Sequence, residues 1–144
     1  MFADKVKFKD FFGVEKEVTC YFNYDEHEVL KMEAGQTESV TEKLKRIMGS
    51  KNKEEIMAAF SEFILGAYGE LADDNNTLLK TPEIRRKFEC SKAYNAVFMK
   101  FMTESDTYPL KFIQATMPDM KQLGEQLENA QKKLPQDAMT QLGV

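Results

Sequence analysis

The chain has little of what catalytic and metal sites usually need. It contains one histidine, two cysteines and no tryptophan among 144 residues. Cys20, Cys90 and His27 lack the close spacing of metal ligands, and the chain has neither a glycine-rich phosphate loop nor a nucleophile elbow. His27 lies in an acidic turn, where it is expected to be an exposed residue. The sequence predicts a protein that is not an enzyme and has no cofactor or metal, unless Cys20, His27 and a carboxylate converge in a cleft.

Long apolar runs and concentrated positive charge are also missing. No stretch approaches the ~20 apolar residues of a membrane span, and the N-terminal ten residues lack the apolar segment of a signal peptide. Both cysteines are therefore expected to be free, half-buried thiols in a cytoplasm. The formal net charge is −4, and the basic clusters Lys45-Arg46 and Arg85-Arg86-Lys87 are each flanked by acidic residues. We expect no binding to nucleic acid or membrane.

Residues 53–71 carry the strongest apolar pattern in the chain. Asn52 is placed to cap a helix with an acidic first turn, and Gly69 is placed near its end. We therefore predict a central core helix over 53–71. Its buried stripe, at three- and four-residue steps, comprises Ile56, Phe60, Phe63, Ile64, Ala67 and Tyr68.

The first 22 residues alternate with a period of two, which predicts a β-hairpin. Asp10 and Gly13 have the properties that a short turn requires. Lysines on the first strand are expected to face Glu15 and Glu17 on the second. The predicted core face of the hairpin comprises Val6, Phe8, Val18, Cys20 and Phe22.

Cap residues predict the other helices. Asn23 or Asp25 begins a helix that ends at Gly35, and Ser39 with Glu42 forms a capping box. Polar residues 73–77 predict a loop between helices. Later helix starts are expected at Thr81-Pro82, at Ser91 after a break, and at residue 110 between Pro109 and Pro118.

These elements predict an α+β, predominantly helical fold. An N-terminal two-stranded β-hairpin would pack on a bundle of about five to six helices within residues 1–118. Residues 119–144 are expected to add an amphipathic C-terminal helix, to about residue 132, followed by a flexible tail.

Several short motifs follow one another in a characteristic order: VKFKDFFG at 6–13, a strand over 17–23, EVLKME at 28–33, Arg46-Ile47-Met48, Ala67-Tyr68-Gly69-Glu70, Thr81-Pro82-Glu83, and Ala93-Tyr94 with Phe98-Met99. This ordered set, over roughly residues 5–118, resembles the tail assembly chaperones of long-tailed bacteriophages and prophages. Those proteins commonly begin with a strand, a D-(aromatic)-x-G turn, a second strand and a helix.

The resemblance implies a non-catalytic protein of the host bacterial cytoplasm. Such chaperones bind the tape measure protein, keep it soluble, and help to recruit tail tube subunits. Many relatives also occur in a frameshift-extended form, which would be a further partner, and weak self-association is also possible. The alternative is a tail completion or connector component that is retained in the virion.

Nine methionines suggest an adaptable apolar surface for helical partners, although methionine is also a common core residue. The partner-binding candidates are Met99, Met102, Met117, Met120, Leu123 and Leu127.

Overall fold

The structure is a computed structural model, and it describes residues 1–119. The elements in chain order are β1 (Phe2–Lys9), β2 (Glu15–Phe22), α1 (Glu26–Glu33), α2 (Val40–Met48), α3 (Lys53–Ala67), β3 (Tyr68–Leu71), β4 (Leu78–Leu79), α4 (Pro82–Glu89), α5 (Lys92–Thr103) and α6 (Tyr108–Thr116). The α+β class is confirmed, and about half of the described residues are helical. The predicted C-terminal helix and tail lie outside the described residues.

The sheet has four antiparallel strands in the order β1-β2-β3-β4, whereas only the two strands of the hairpin were predicted. β1 and β2 pair along their whole length, from Phe2 opposite Phe22 to Lys9 opposite Glu15. β3 pairs only with the last two residues of β2, Tyr21 and Phe22. The turn end of the hairpin consequently extends beyond the third strand. Val18, predicted to face the core, is 38% exposed, whereas its cross-strand partner Val6 is buried.

The predicted central helix is shorter than its apolar pattern indicated. α3 ends at Ala67, and Tyr68–Leu71 forms β3 instead of a last helical turn. The Ala67 carbonyl accepts a hydrogen bond from the Asn23 amide, and the Tyr68 ring stacks on Phe88 with centroids 3.7 Å apart. Another strand, β4, directly follows the predicted loop of residues 73–77, at positions where no element was predicted. Pairing with distant residues therefore overrides the local helical pattern.

The predicted caps are present where their side chains act locally. Asn52 accepts a hydrogen bond from the Glu55 amide at the start of α3, and Ser39 accepts one from the Glu42 amide in a capping box. Thr81 and Ser91 cap α4 and α5 in the same way. Each cap satisfies an amide that the first helical turn leaves unbonded.

Aromatic side chains from the sheet and the helices form the core. Phe22, Phe101 and Phe112 are fully buried, and the ring of Phe112 lies 4.8 Å from that of Phe22 and 4.9 Å from that of Phe101. Phe60 and Phe63 join them from α3. The core thus holds the hairpin, α3, α5 and α6 together.

Candidate docking surface

The predicted methionine site is distributed between exposed and packed positions. Met99 is 47% exposed on α5, whereas Met102 and Met117 are half-buried and pack against the core. None of these three lines either of the clefts described below. Met120, Leu123 and Leu127 lie outside the described residues. The methionine surface therefore stays a prediction.

The hairpin turn is held by the side chain of Asp10. One of its carboxylate oxygens accepts hydrogen bonds from the amides of Phe12 and Val14, each at 2.9 Å. The other oxygen lies 3.1 Å from the Lys16 ammonium group. The Val14 and Lys16 contacts hold the pKa of Asp10 below its usual value. Gly13 adopts a φ of 82°, which a residue without a Cβ tolerates best.

This hydrogen-bonded turn presents apolar side chains to solvent. Phe11 is 74% exposed, Phe12 is 93% exposed and Val14 is 55% exposed. We call these three residues the tip surface. Burial of each phenylalanine would contribute roughly 1.5–3 kcal/mol, and the fold leaves most of that unused. Clustered exposed aromatic side chains of this kind are typical of protein-binding sites.

A shallow cleft of about 540 Å³ lies beside the tip surface, and we call it the tip cleft. Phe11 forms one wall, Met57 and Ala58 of α3 form another, and Phe98 of α5 forms a third. The Lys92 ammonium group lies 5.0 Å from the centre of the Phe11 ring. The tip cleft therefore extends the apolar area of the turn onto the helices.

Two contacts fix the direction of α5 relative to the hairpin. Lys92, at the start of α5, lies over Phe11, while Lys100, near its end, lies 3.4 Å from Asp4 at the start of β1. α5 consequently runs antiparallel to β1. This direction places the first turn of α5 next to the tip surface.

A second cleft, of about 290 Å³, lies between α1, α2 and α3, and we call it the helical cleft. Val40, Leu44, Ile47 and Phe63 supply its apolar walls. Three carboxylates and one ammonium group also line it: Glu33, Glu38, Glu62 and Lys43. The helical cleft is therefore apolar inside and acidic around its edge.

The two clefts use different faces of α3. Met57, Ala58 and Ser61 line the tip cleft, while Ala59, Glu62 and Phe63 line the helical cleft. At about 100° per residue, the centres of these two sets lie on nearly opposite sides of the helix. A single short segment of a partner therefore cannot fill both.

The lone histidine belongs to a small polar cluster with Asp25 and Glu28. Their potential ligand atoms lie within 4.8 Å of one another, and Asp25 and His27 are exposed. Asp25 accepts a hydrogen bond from Asn23, and Glu28 forms an ion pair of 2.7 Å with Lys80. These bonds engage Asp25 and Glu28 at the start of α1.

Neither cysteine forms a disulfide, as the sequence predicted. Cys90 is exposed and lines the tip cleft. Cys20 is buried, and burial together with the charge of Asp4 raises the pKa of its thiol to about 11. Both thiols were expected to be half-buried, so this part of the prediction was wrong: one faces the core and the other faces solvent.

The tip surface was not predicted from the sequence. Asp10 and Gly13 were recognised as turn residues, but the two phenylalanines between them were not. The sequence nevertheless indicates that these rings are exposed, because two adjacent aromatic side chains in a short turn rarely both reach the core.

The fold places exposed aromatic side chains on a hydrogen-bonded turn, and such surfaces are typical of the class of proteins that bind other proteins. Within that class the chain is identified by its sequence: the profile of the phage tail assembly chaperone family matches residues 1–142, and the chain belongs to this family. The resemblance drawn from its motifs is thereby confirmed. No curated protein and no solved structure matches the chain.

None of the helices within residues 1–119 combines the length and the apolar character that crossing a membrane requires.

Proposed function

We propose that this chaperone binds the tape measure protein through the tip surface, keeps it soluble and assists assembly of the tail tube in the host bacterial cytoplasm. It acts without catalysis or cofactor. The frameshift-extended form and the tail tube protein are further partners under this proposal. Family membership supports tail assembly as the process, and the surface chemistry supports apolar capture as the means.

The exposure of Phe11 and Phe12 on an ordered turn carries the proposal. The Asp10 hydrogen bonds hold the backbone that carries the two rings, so a partner that covers them has less backbone to order. The adjacent tip cleft offers Met57 and Phe98 as additional apolar contacts. An extended amphipathic helix presents apolar anchors at i, i+3 and i+4, which suits this kind of surface.

Co-expression with the tape measure protein of the same phage tests the proposal. The tape measure protein is expected to be insoluble alone and to elute with this chain in one complex during size-exclusion chromatography. Phe11→Ala with Phe12→Ala should weaken capture by about 2 kcal/mol or more, which is roughly thirtyfold in affinity.

The matched control removes two exposed leucines elsewhere. Leu79 and Leu110 are 44% and 49% exposed and line neither cleft. Leu79→Ala with Leu110→Ala should leave capture unchanged. Equal losses in both double variants would contradict a specific role for the tip surface. Stoichiometric retention of the chain in purified virions would instead favour a tail completion or connector component.

A further inference from the structure

The helical cleft combines an apolar interior with an excess of negative charge: three carboxylates and the Lys43 ammonium group line it, and Arg46 neutralises one of the carboxylates. Leu44, Ile47 and Phe63 are buried side chains that form its floor, and Met32, which is 40% exposed, lies at its edge. A volume of about 290 Å³ is at the lower end of the range for binding pockets. It is large enough for apolar side chains of a partner.

The three carboxylates of the helical cleft are not equally available. Glu38 is bound by Arg46, whose Nη2 lies 2.8 Å from its Oε1, and this contact lowers the pKa of Glu38. Glu33 uses Oε1 to accept a hydrogen bond from the Val40 amide, which leaves its other oxygen for a partner. Glu62 forms no ion pair with any residue between 1 and 119.

The walls of the helical cleft also restrict how a partner can bind. Three helices and the loop between α1 and α2 surround the cleft, and the helices bond most of their backbone groups internally. Strand addition needs an unpaired sheet edge, and this cleft has none among the residues that line it. Recognition must therefore use side chains, as in the binding of an amphipathic helix to a groove.

We propose that the helical cleft binds an amphipathic helix of a partner protein whose apolar anchors are flanked by lysine or arginine. The apolar anchors enter between α2 and α3, and the basic side chains bind Glu62 and the free oxygen of Glu33. This proposal rests on the proposed function. It specifies in addition that the captured segment is basic and that it binds at a second site on the chaperone. A partner long enough to occupy the tip surface and the helical cleft would be bound at two points, which raises its overall affinity.

The test uses the full chain and two labelled synthetic helices, so it does not depend on the tape measure protein. The two peptides share the same leucine positions, but one carries lysines and the other glutamates at the flanking positions. Fluorescence anisotropy should show at least about tenfold tighter binding of the lysine peptide, and the difference should shrink as the ionic strength rises. Equal binding of both peptides would overturn the proposal.

Substitutions at two positions, residues 59 and 62, locate the binding site. Glu62→Lys reverses the charge of the cleft and should weaken binding of the lysine peptide about tenfold or more, while Glu62→Gln should have an intermediate effect. Ala59→Phe should block the helical cleft by filling it. Glu104→Lys, which makes the same charge change outside the cleft, serves as the control, and a loss equal to that of Glu62→Lys would contradict the assignment.

Two further results separate this proposal from the proposed function. Phe11→Ala with Phe12→Ala should leave peptide binding unchanged, because the tip surface adjoins the tip cleft, which lies on a different face of α3 from the helical cleft. Failure to capture the tape measure protein, with peptide binding intact, would overturn the proposed function and leave the cleft assignment standing. Loss of peptide binding when the chain self-associates would identify a second copy as the occupant and overturn the proposed partner.

Discussion

The hydroxyl of Tyr108 donates a hydrogen bond of 2.6 Å to Oδ2 of Asp4, which joins the first residues of β1 to the first turn of α6. Lys100 of α5 approaches the same oxygen at 3.4 Å and lies over the Tyr108 ring. Burial and the hydrogen bond with Asp4 raise the pKa of the Tyr108 phenol. One carboxylate thus connects elements from both ends of the described chain.

Tyr108→Phe should reduce the free energy of unfolding. The substitution removes the hydroxyl and leaves the half-buried Asp4 carboxylate with only the longer Lys100 contact, so we expect a loss of about 1–2 kcal/mol. Urea denaturation monitored by circular dichroism measures it. Tyr21→Phe is the matched control, because no hydrogen bond is recorded for the Tyr21 hydroxyl within residues 1–119. Indistinguishable denaturation midpoints for the two variants would contradict the role of the Tyr108 bond.

Asp10→Ala should disorder the hairpin turn without changing its phenylalanines. The amides of Phe12 and Val14 lose their acceptor, so their hydrogen exchange should accelerate, and capture of the tape measure protein should fall with it. Asp10→Asn keeps an acceptor oxygen and should preserve most of the turn. Unchanged exchange in Asp10→Ala would show that the turn does not depend on this side chain.

The Asp10 carboxylate also gives the turn a predictable pH dependence. Its pKa is lowered in the fold, chiefly by the Val14 amide and then by Lys16. Its stabilising contribution is therefore complete above the ordinary aspartate pKa, about 3.9, and is lost as the pH falls through the lowered value. Amide chemical shifts of residues 12 and 14 should report this acid transition in the unmodified chain and not in Asp10→Asn.

Gly66→Ala should destabilise the protein although glycine is unfavourable inside a helix. The replacement gains about 0.5–1 kcal/mol of helix propensity. A Cβ at this position would, however, overlap the buried hydroxyl of Tyr24, which donates a hydrogen bond of 2.7 Å to the Phe63 carbonyl. Overpacking typically costs about 1–3 kcal/mol, so the net change should be unfavourable.

Gly49→Ala is the matched control for that substitution. Its Cβ would meet only the carbonyl oxygens of Lys45 and Arg46, each at 3.6 Å, and its φ of −78° suits alanine. We expect Gly49→Ala to leave the melting temperature unchanged or slightly raised. A melting temperature of Gly66→Ala at or above that of the unmodified chain would contradict the tight Tyr24 contact.

The two thiols should react with Ellman's reagent at very different rates. Cys90 is exposed, whereas Cys20 is buried and its pKa is raised to about 11, so little thiolate is accessible at neutral pH. One fast thiol is expected in the folded protein and two in denaturant. Cys90→Ser should abolish the fast reaction, and Cys20→Ser should preserve it. A fast reaction that disappears in Cys20→Ser and persists in Cys90→Ser would show that the buried side of the sheet opens readily.

Short-range interactions explain why many boundaries were predictable. The capping box of Ser39 and Glu42, and the cap that Ser91 supplies to α5, each join residues only three positions apart. The paired strands around Asp10 likewise follow from alternation and one turn. Such features depend on neighbouring residues, so the sequence alone indicates them.

The candidate site was less predictable. Met99, Met102 and Met117 were predicted as binding residues from the methionine content, but Met102 and Met117 pack against the core. Whether a methionine is core or surface depends on which elements cover it, and composition contains no such information. The tip surface became evident only when the pairing of β2 showed that its turn end extends beyond β3.

The sequence by itself determined the family, the α+β class, most helix starts and the hairpin, because these follow from motif order, periodicity and local caps. Only the tertiary structure decided that residues 68–71 form a strand, that Val18 is exposed and that α3 separates two clefts. Tyr68 pairs with Phe22 and stacks on Phe88, both far from it in sequence, and these contacts outweigh the helical pattern. Surfaces and sheet partners arise from such long-range packing, which no local spacing specifies.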